Sequence, residues 1–374
     1  MTDKRFIDLA VPGVQDLAPY QAGKPISELK RELGIDDIIK LASNENPLGA
    51  SPKAIDVVKK HAAEIGLYPD GNGFDLKRVL ADFHGIGLNR ITLGSGSDHL
   101  IELIARAFLQ EGRNAVISQY AFAVYAITTK ATGAELRVAD AFPKGHDNAY
   151  GHDLEAMLKL IDDNTRVVFL ANPNNPTGTW IDGDSLKDFI NRVPKDVLVV
   201  LDEAYTEYVE DPAYLDGSEL VKDTENLVLL RTFSKAYGLA GVRVGYALAN
   251  PTVTDLLNRV RLAFNPNLLA QAAAIAALGD TEHLKKAVQL NREGLQQMSD
   301  AYTDMGLDFI PSVANFITVD VGGDAKPVFD ALLKEGVITR PLAPYGMPNH
   351  LRISIGLPEE NQRLISALRR ILGR

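Results

Sequence analysis

The 374-residue chain sets 39 Lys and Arg against 49 Asp and Glu, a formal charge of −10, with 46% apolar residues and no cysteine. A chain of this length buries a large core and divides into two domains, and its acidic balance excludes a nucleic-acid binder, whose phosphate backbone demands a basic face. Disulfides and thiolate metal sites go with the missing cysteines, and the 7 scattered histidines lack metal-ligand spacing, so no metal is expected.

The N-terminal stretch MTDKRFIDLAVPGVQDL has no secretory apolar core, and no run reaches the ~20 apolar residues of a membrane helix. A cytoplasmic location without membrane contact is the expectation. The first 45 or so residues carry weak strand signals and are expected to pack with the C-terminal part. Short β-branched runs then alternate with helical patterns. Strands are predicted at 90–94, 115–118, 135–139, 166–171, 197–202, 227–231 and 244–249. Between them, SDHLIELIARAFLQEG keeps apolar residues at helical spacing, with Ser97 or Asp98 as N-cap and Gly112 beyond its end. The stretch DGDSLKDFINRV repeats that design. Nearly continuous apolar strands separated by helices predict a mostly parallel sheet sandwiched by helices, an α/β large domain at 46–270. Beyond it, long helical stretches lead into ANFITVDV, a helix at 325–335 and HLRISIG. This predicts a smaller α+β domain made of 1–45 and 271–374.

Ligands of open parallel sheets bind beyond the carboxyl ends of the strands, and unusual residues fall there. After the first large-domain strand, GSGSDH (94–99) opens a helix whose free N–H groups and dipole suit an anion, although Ser97 and Asp98, taken alone, read better as caps. NPNNPTG (172–178) fixes the backbone around Asn175. Asp202 ends a wholly apolar strand, where a carboxylate needs a partner or serves as a cap, and Tyr205 follows in reach of the same crevice. Finally LLRTFSKAYGLAGVRVGYALA (229–249) sets Thr232, Ser234, Lys235 and Arg243 between two core strands. Together they form an inventory suited to pyridoxal phosphate: a lysine for its aldehyde, a carboxylate for its ring nitrogen, and hydroxyls, a guanidinium and a helix N-terminus for its phosphate.

In this order NPNNPTG, DEAY and SKAYGLAGVRVGY resemble the fold-type-I pyridoxal-phosphate aminotransferases. SNENPLG (43–49), YPDG (68–71), RPLAPYGMPNHLRISIG (340–356) and APYQAGKP (18–25) narrow the resemblance to the histidinol-phosphate aminotransferases, from about residue 18 to the C-terminus. The resemblance implies that Lys235 bonds the cofactor pyridoxal 5'-phosphate and shuttles the substrate proton. It further implies that Thr232, Ser234, Arg243 and the amides of Ser97 and Asp98 hold the phosphate. Asp202 pairs with the ring nitrogen, Asn175 and Tyr205 bond the ring's phenolic oxygen, and Phe122 of FAVY stacks on the ring. Tyr68 is implied to reach the phosphate of a neighbouring subunit, making the enzyme a homodimer. Arg352 resembles the arginine that grips the substrate carboxylate, and Arg340 and Tyr20 match the substrate side-chain site, with a surface cation as the other reading of Arg340. His99 departs from the family's usual glutamate, a change that bears on helix capping, and takes no catalytic role.

The function this implies is a transaminase exchanging the amino group between L-histidinol phosphate and 2-oxoglutarate, small-molecule partners of histidine biosynthesis. Three rivals remain: an aromatic amino-acid transaminase, an O-phospho-amino-acid decarboxylase and a catalytically silent cofactor-binding sensor.

Overall fold

The computed structural model describes residues 4–20 and 23–374. Residues 1–3, at the start of the N-terminal stretch, and Gln21 and Ala22, inside the 18–25 motif, lie outside the described residues. Among the described residues thirteen strands follow in chain order: β1 Ile39–Lys40, β2 Ile91–Gly94, β3 Asn114–Ser118, β4 Glu135–Ala139, β5 Thr165–Ala171, β6 Leu198–Asp202 and β7 Leu227–Thr232. After them come β8 Gly245–Leu248, β9 Phe309–Ile310, β10 Phe316–Asp320, β11 Val337–Ile338, β12 Arg340–Leu342 and β13 Met347–Ser354.

All seven strands expected for the large domain form one sheet, in the order β2-β8-β7-β6-β5-β3-β4. Only β8 runs against its neighbours β7 and β2. The other four pairings within this sheet are parallel and follow from its chemistry: strands such as Leu198–Asp202 and Leu227–Thr232 are buried along their whole length, as both-face helix cover requires. One apolar cluster fills each face, around Leu229 on one side and Leu230 on the other. With β8 reversed, the carboxyl ends of β2, β3, β5, β6 and β7 share one edge of the sheet with the segment that leads into β8.

The C-terminal part holds the antiparallel sheet β12-β13-β10-β9. Its apolar face packs with the 24-residue helix Thr281–Asp304 and the helix Pro358–Leu372. The N-terminal stretch divides. Strand β1 pairs in parallel with β11 of the C-terminal part, and Leu29, Ala42 and Ile338 share a core cluster. The short helix Pro12–Gln15 instead lies against Ala123–Ala131 of the large sheet's helical layer, so close at Gly13 that a Cβ there would stand 1.9 Å from the Lys130 carbonyl oxygen. Among the described residues no helix is long and apolar enough to cross a membrane, and no group of three or more His, Asp or Glu could hold a metal ion.

Candidate active site

A cavity of ≈ 450 Å³ opens at that edge of the large sheet, roofed by residues of β12 and β13. Every residue given a site role from the sequence lines it except Tyr68: Tyr20, Ser97, Asp98, Phe122, Asn175, Asp202, Tyr205, Thr232, Ser234, Lys235, Arg243, Arg340 and Arg352.

The anion-suited end is built by close backbone approach. Gly96, at φ +86°, is the N-cap of Ser97–Phe108 and makes no side-chain cap, which corrects the assignment of that role to Ser97 or Asp98. Glycine accepts this left-handed backbone without steric cost. A Cβ at Gly96 would stand 2.4 Å from Arg243 Nη2, and one at Gly245 3.0 Å from the Ser97 nitrogen. The first-turn N–H groups therefore meet a guanidinium at short range. Arg243 donates to Asp98 Oδ2 at 3.1 Å and Ser234 Oγ at 3.3 Å. Thr232 Oγ1 accepts from the Ser234 N–H at 3.1 Å.

Asp202 lies at the cavity floor, 5% exposed. Tyr125 donates its hydroxyl to Asp202 Oδ2 at 2.6 Å and stacks on Phe169, while Asp202 Oδ1 is buried without a hydrogen-bond partner. Burial pushes the Asp202 carboxyl up to about 6, against the pull of the Tyr125 hydrogen bond. An orphaned carboxylate oxygen in such a place calls for a charged N–H donor. Lys235 faces the same space. Its Nζ donates to the Ser43 carbonyl at 3.0 Å, and burial, aided by the Arg352 charge, lowers its ammonium to about 8. An amine so tuned both accepts and gives up a proton near neutral pH.

Across the cavity, Arg340 and Arg352 are direct register partners on β12 and β13. Like charges placed opposite each other repel, so the pair is an arrangement that an anion would relieve. Arg352 is 7% exposed; it donates to Asn175 Oδ1 at 2.5 Å and the Ala42 carbonyl at 2.7 Å, and its Nε has no partner. Burial pulls this guanidinium below its usual range. Arg340 stands 6.0 Å from the Tyr20 ring, which meets Phe122 edge-on at 6.3 Å.

Tyr68 stands apart. It is 80% exposed and stacks on Phe264 at 4.3 Å, outside the cavity of its own chain. His99 also stays out of the cavity, bonded through Nδ1 to Asn265 Nδ2 at 2.7 Å. Three polar side chains of the cavity lining received no role from the sequence: Tyr125, quoted in FAVY, and Ser43 and Asn44 of SNENPLG. Their part depends on contacts between residues far apart in the chain, which no local pattern carries.

The mostly parallel sheet, the smaller antiparallel one and a lysine beside an orphaned carboxylate oxygen define a transaminase-type site, and the family comparison agrees. The model of aminotransferase class I and II matches residues 36–368, and the chain belongs to that family. It is 57% identical over 371 residues, 99% of either chain, to histidinol-phosphate aminotransferase 2 of Pseudomonas fluorescens, and 57% identical over 98% of either chain to that of Pseudomonas aeruginosa. Histidinol-phosphate aminotransferase of Sinorhizobium meliloti, solved with pyridoxal 5'-phosphate, superimposes with a TM-score of 0.88 at 31% identity, covering 97% of each chain.

Proposed function

We propose that this chain exchanges the amino group between L-histidinol phosphate and 2-oxoglutarate, giving imidazole-acetol phosphate and glutamate, a step of histidine biosynthesis with pyridoxal 5'-phosphate as cofactor. The observation that carries the reading is the register pairing of Arg340 with Arg352 over a cavity that also holds Lys235 and the orphaned Asp202 Oδ1.

The residues fit the cofactor. Asp202 Oδ1 would accept from its ring N–H, and Lys235 would bond its aldehyde carbon. The amides of Ser97 and Asp98, with Thr232, Ser234 and Arg243, would hold its phosphate. Phe122 would cover the ring face, and Asn175 and Tyr205 would bond its phenolic oxygen. When bound, pyridoxal phosphate supplies an electron sink for the pair released at the substrate Cα. The protein's own work is placement and proton transfer. Arg352 holds an anionic group of the substrate bidentately and so fixes the Cα–H bond. The Lys235 amine, held near neutral pH at its working range, takes and returns that proton. Glutamate offers two carboxylates, one for each guanidinium. Histidinol phosphate has no carboxylate and offers both guanidinia one dianionic phosphate, which Arg340, beside Tyr20, meets with two parallel hydrogen bonds that lysine could not reproduce.

A homodimer completed by Tyr68 belongs to the same proposal. It is supported by the exposure of Ile65, Leu67, Tyr68, Leu262 and Phe264, apolar surface in search of a covering partner. So do the domain limits at 46–270 and 1–45 with 271–374, and a cytoplasmic location, since substrates this charged stay in the compartment where they are made. The test is product analysis. Purified protein with pyridoxal phosphate, histidinol phosphate and 2-oxoglutarate should yield imidazole-acetol phosphate and glutamate in equal amounts. Carbon dioxide from an O-phospho amino acid without an oxo product, or no turnover with any donor, would overturn it.

A further inference from the structure

SNENPLG puts Asn44 on the cavity wall, 1% exposed and at φ +56°, a left-handed backbone that asparagine tolerates better than most residues. Its hydrogen bonds fix its orientation. The Asn44 backbone N–H donates to Ser354 Oγ at 2.8 Å, so the Ser354 hydroxyl has its own hydrogen to give, and gives it to Asn44 Oδ1 at 3.0 Å. Asn315 Nδ2 donates to the Asn44 carbonyl at 2.9 Å. With Oδ1 committed to a donor, the amide nitrogen must face the other way, and Nδ2 donates to the Tyr205 hydroxyl oxygen at 3.0 Å.

We infer that Asn44 is a positioning residue that keeps Tyr205 a hydrogen-bond donor toward the cofactor's phenolic oxygen. A phenol has one hydrogen. With Asn44 donating to its oxygen, that hydrogen turns toward the cavity that Tyr205 lines. The same contact makes the phenol a stronger acid, opposing the burial that pushes it up to about 12. Groups facing Tyr205 from elsewhere are Arg352 of β13, Lys235 at 5.7 Å from its ring, Asp202 and Tyr20. None of them duplicates the Asn44 contact.

The inference rests on the reading that Tyr205 bonds the phenolic oxygen, and the experiment separates the two. Hydrogen bonding to that oxygen favours its anionic form, so losing a donor raises the pH midpoint of the bound cofactor's visible absorbance. Four holoenzymes are titrated: Tyr205→Phe, Asn44→Gly, Asn44→Asp and the double variant Asn44→Gly/Tyr205→Phe. Both Asn44 replacements tolerate the left-handed backbone, and both lack the N–H donor. Tyr205→Phe should raise the midpoint, and each Asn44 variant should raise it less, by roughly 0.3–1 pH unit, the scale of one neutral hydrogen bond. The double variant should titrate like Tyr205→Phe alone, because Asn44 acts through the missing hydroxyl. Should Tyr205→Phe leave the midpoint in place, the reading of Tyr205 fails and the inference with it. If Tyr205→Phe shifts it while Asn44→Gly does not, or the two shifts add, the inference alone is overturned.

Discussion

Asp202 combines a functional demand with a cost to the fold. Its carboxyl is pushed up to about 6 by burial, from the 3.8 of an exposed aspartate. A raised acid favours the protonated form in the folded state, so the cofactor-free protein loses stability as pH rises from about 4 to about 6 and stays at the lower level above. Asp202→Asn keeps an acceptor for Tyr125 and removes the charge. Cofactor-free Asp202→Asn should therefore be more stable than wild type by roughly 2–3 kcal/mol at pH 7–8, with the gap closing below pH 4. Urea denaturation across that range reads this directly, and an equal stability at pH 8 would count against a buried, ionised carboxylate. The same variant should lose transamination by orders of magnitude, because the ring nitrogen keeps no anionic partner. Lys235→Ala should abolish the borohydride-reducible link to the cofactor; a surviving link would assign the attachment to another lysine.

At the scale of elements, the phosphate end depends on two glycines whose neighbours leave no room. Gly96→Ala forces a Cβ toward Arg243 Nη2 and strains a backbone at φ +86°. The flexible arginine would yield first. Affinity for pyridoxal phosphate should fall about tenfold, the effect of ~1–2 kcal/mol of strain and displaced charge, while binding of unphosphorylated pyridoxal barely changes. Equal losses for both ligands in equilibrium dialysis would point to general misfolding instead. The large sheet was legible in the sequence because strands buried on both faces are unbroken apolar runs, as in Leu198–Asp202. The helix cap was not: GSGSDH offers two polar caps, and only the left-handed turn at Gly96 decides against them. The two-residue strands β1 and β11 were illegible for a different reason, since each exists only through a partner some 300 residues away.

For the whole molecule, chemistry was more legible than contacts. Thirteen of the fourteen site residues read from motifs meet in one cavity, because most of them sit on or just beyond the carboxyl ends of the large sheet's strands or on β12 and β13. Asn44, Ser43 and Tyr125 escaped because their work is done through residues distant in sequence, such as the 161-position span from Asn44 to Tyr205. Tyr68 is exposed on its own chain, and the proposed dimer gives it a test. A chain carrying both Tyr68→Phe and Lys235→Ala, mixed with wild type, should weaken cofactor retention in its wild-type partner's site. Unchanged retention there, measured in purified mixed dimers, would return Tyr68 to its own subunit.

In the proposed reaction Arg340 reads a distal anion, and one comparison of kcat/KM in wild type and Arg340→Leu tests this. Pro341 restrains the Arg340 backbone, and β12 holds it opposite Arg352. Removing one charge-assisted contact costs about 2–4 kcal/mol, so kcat/KM for histidinol phosphate should drop roughly 30- to 1000-fold. Phenylalanine carries no distal charge and keeps Arg352 for its carboxylate, so its kcat/KM should hold or rise. A matching loss on both donors would instead make Arg340 a support of the site and leave the phosphorylated substrate without its recognition element.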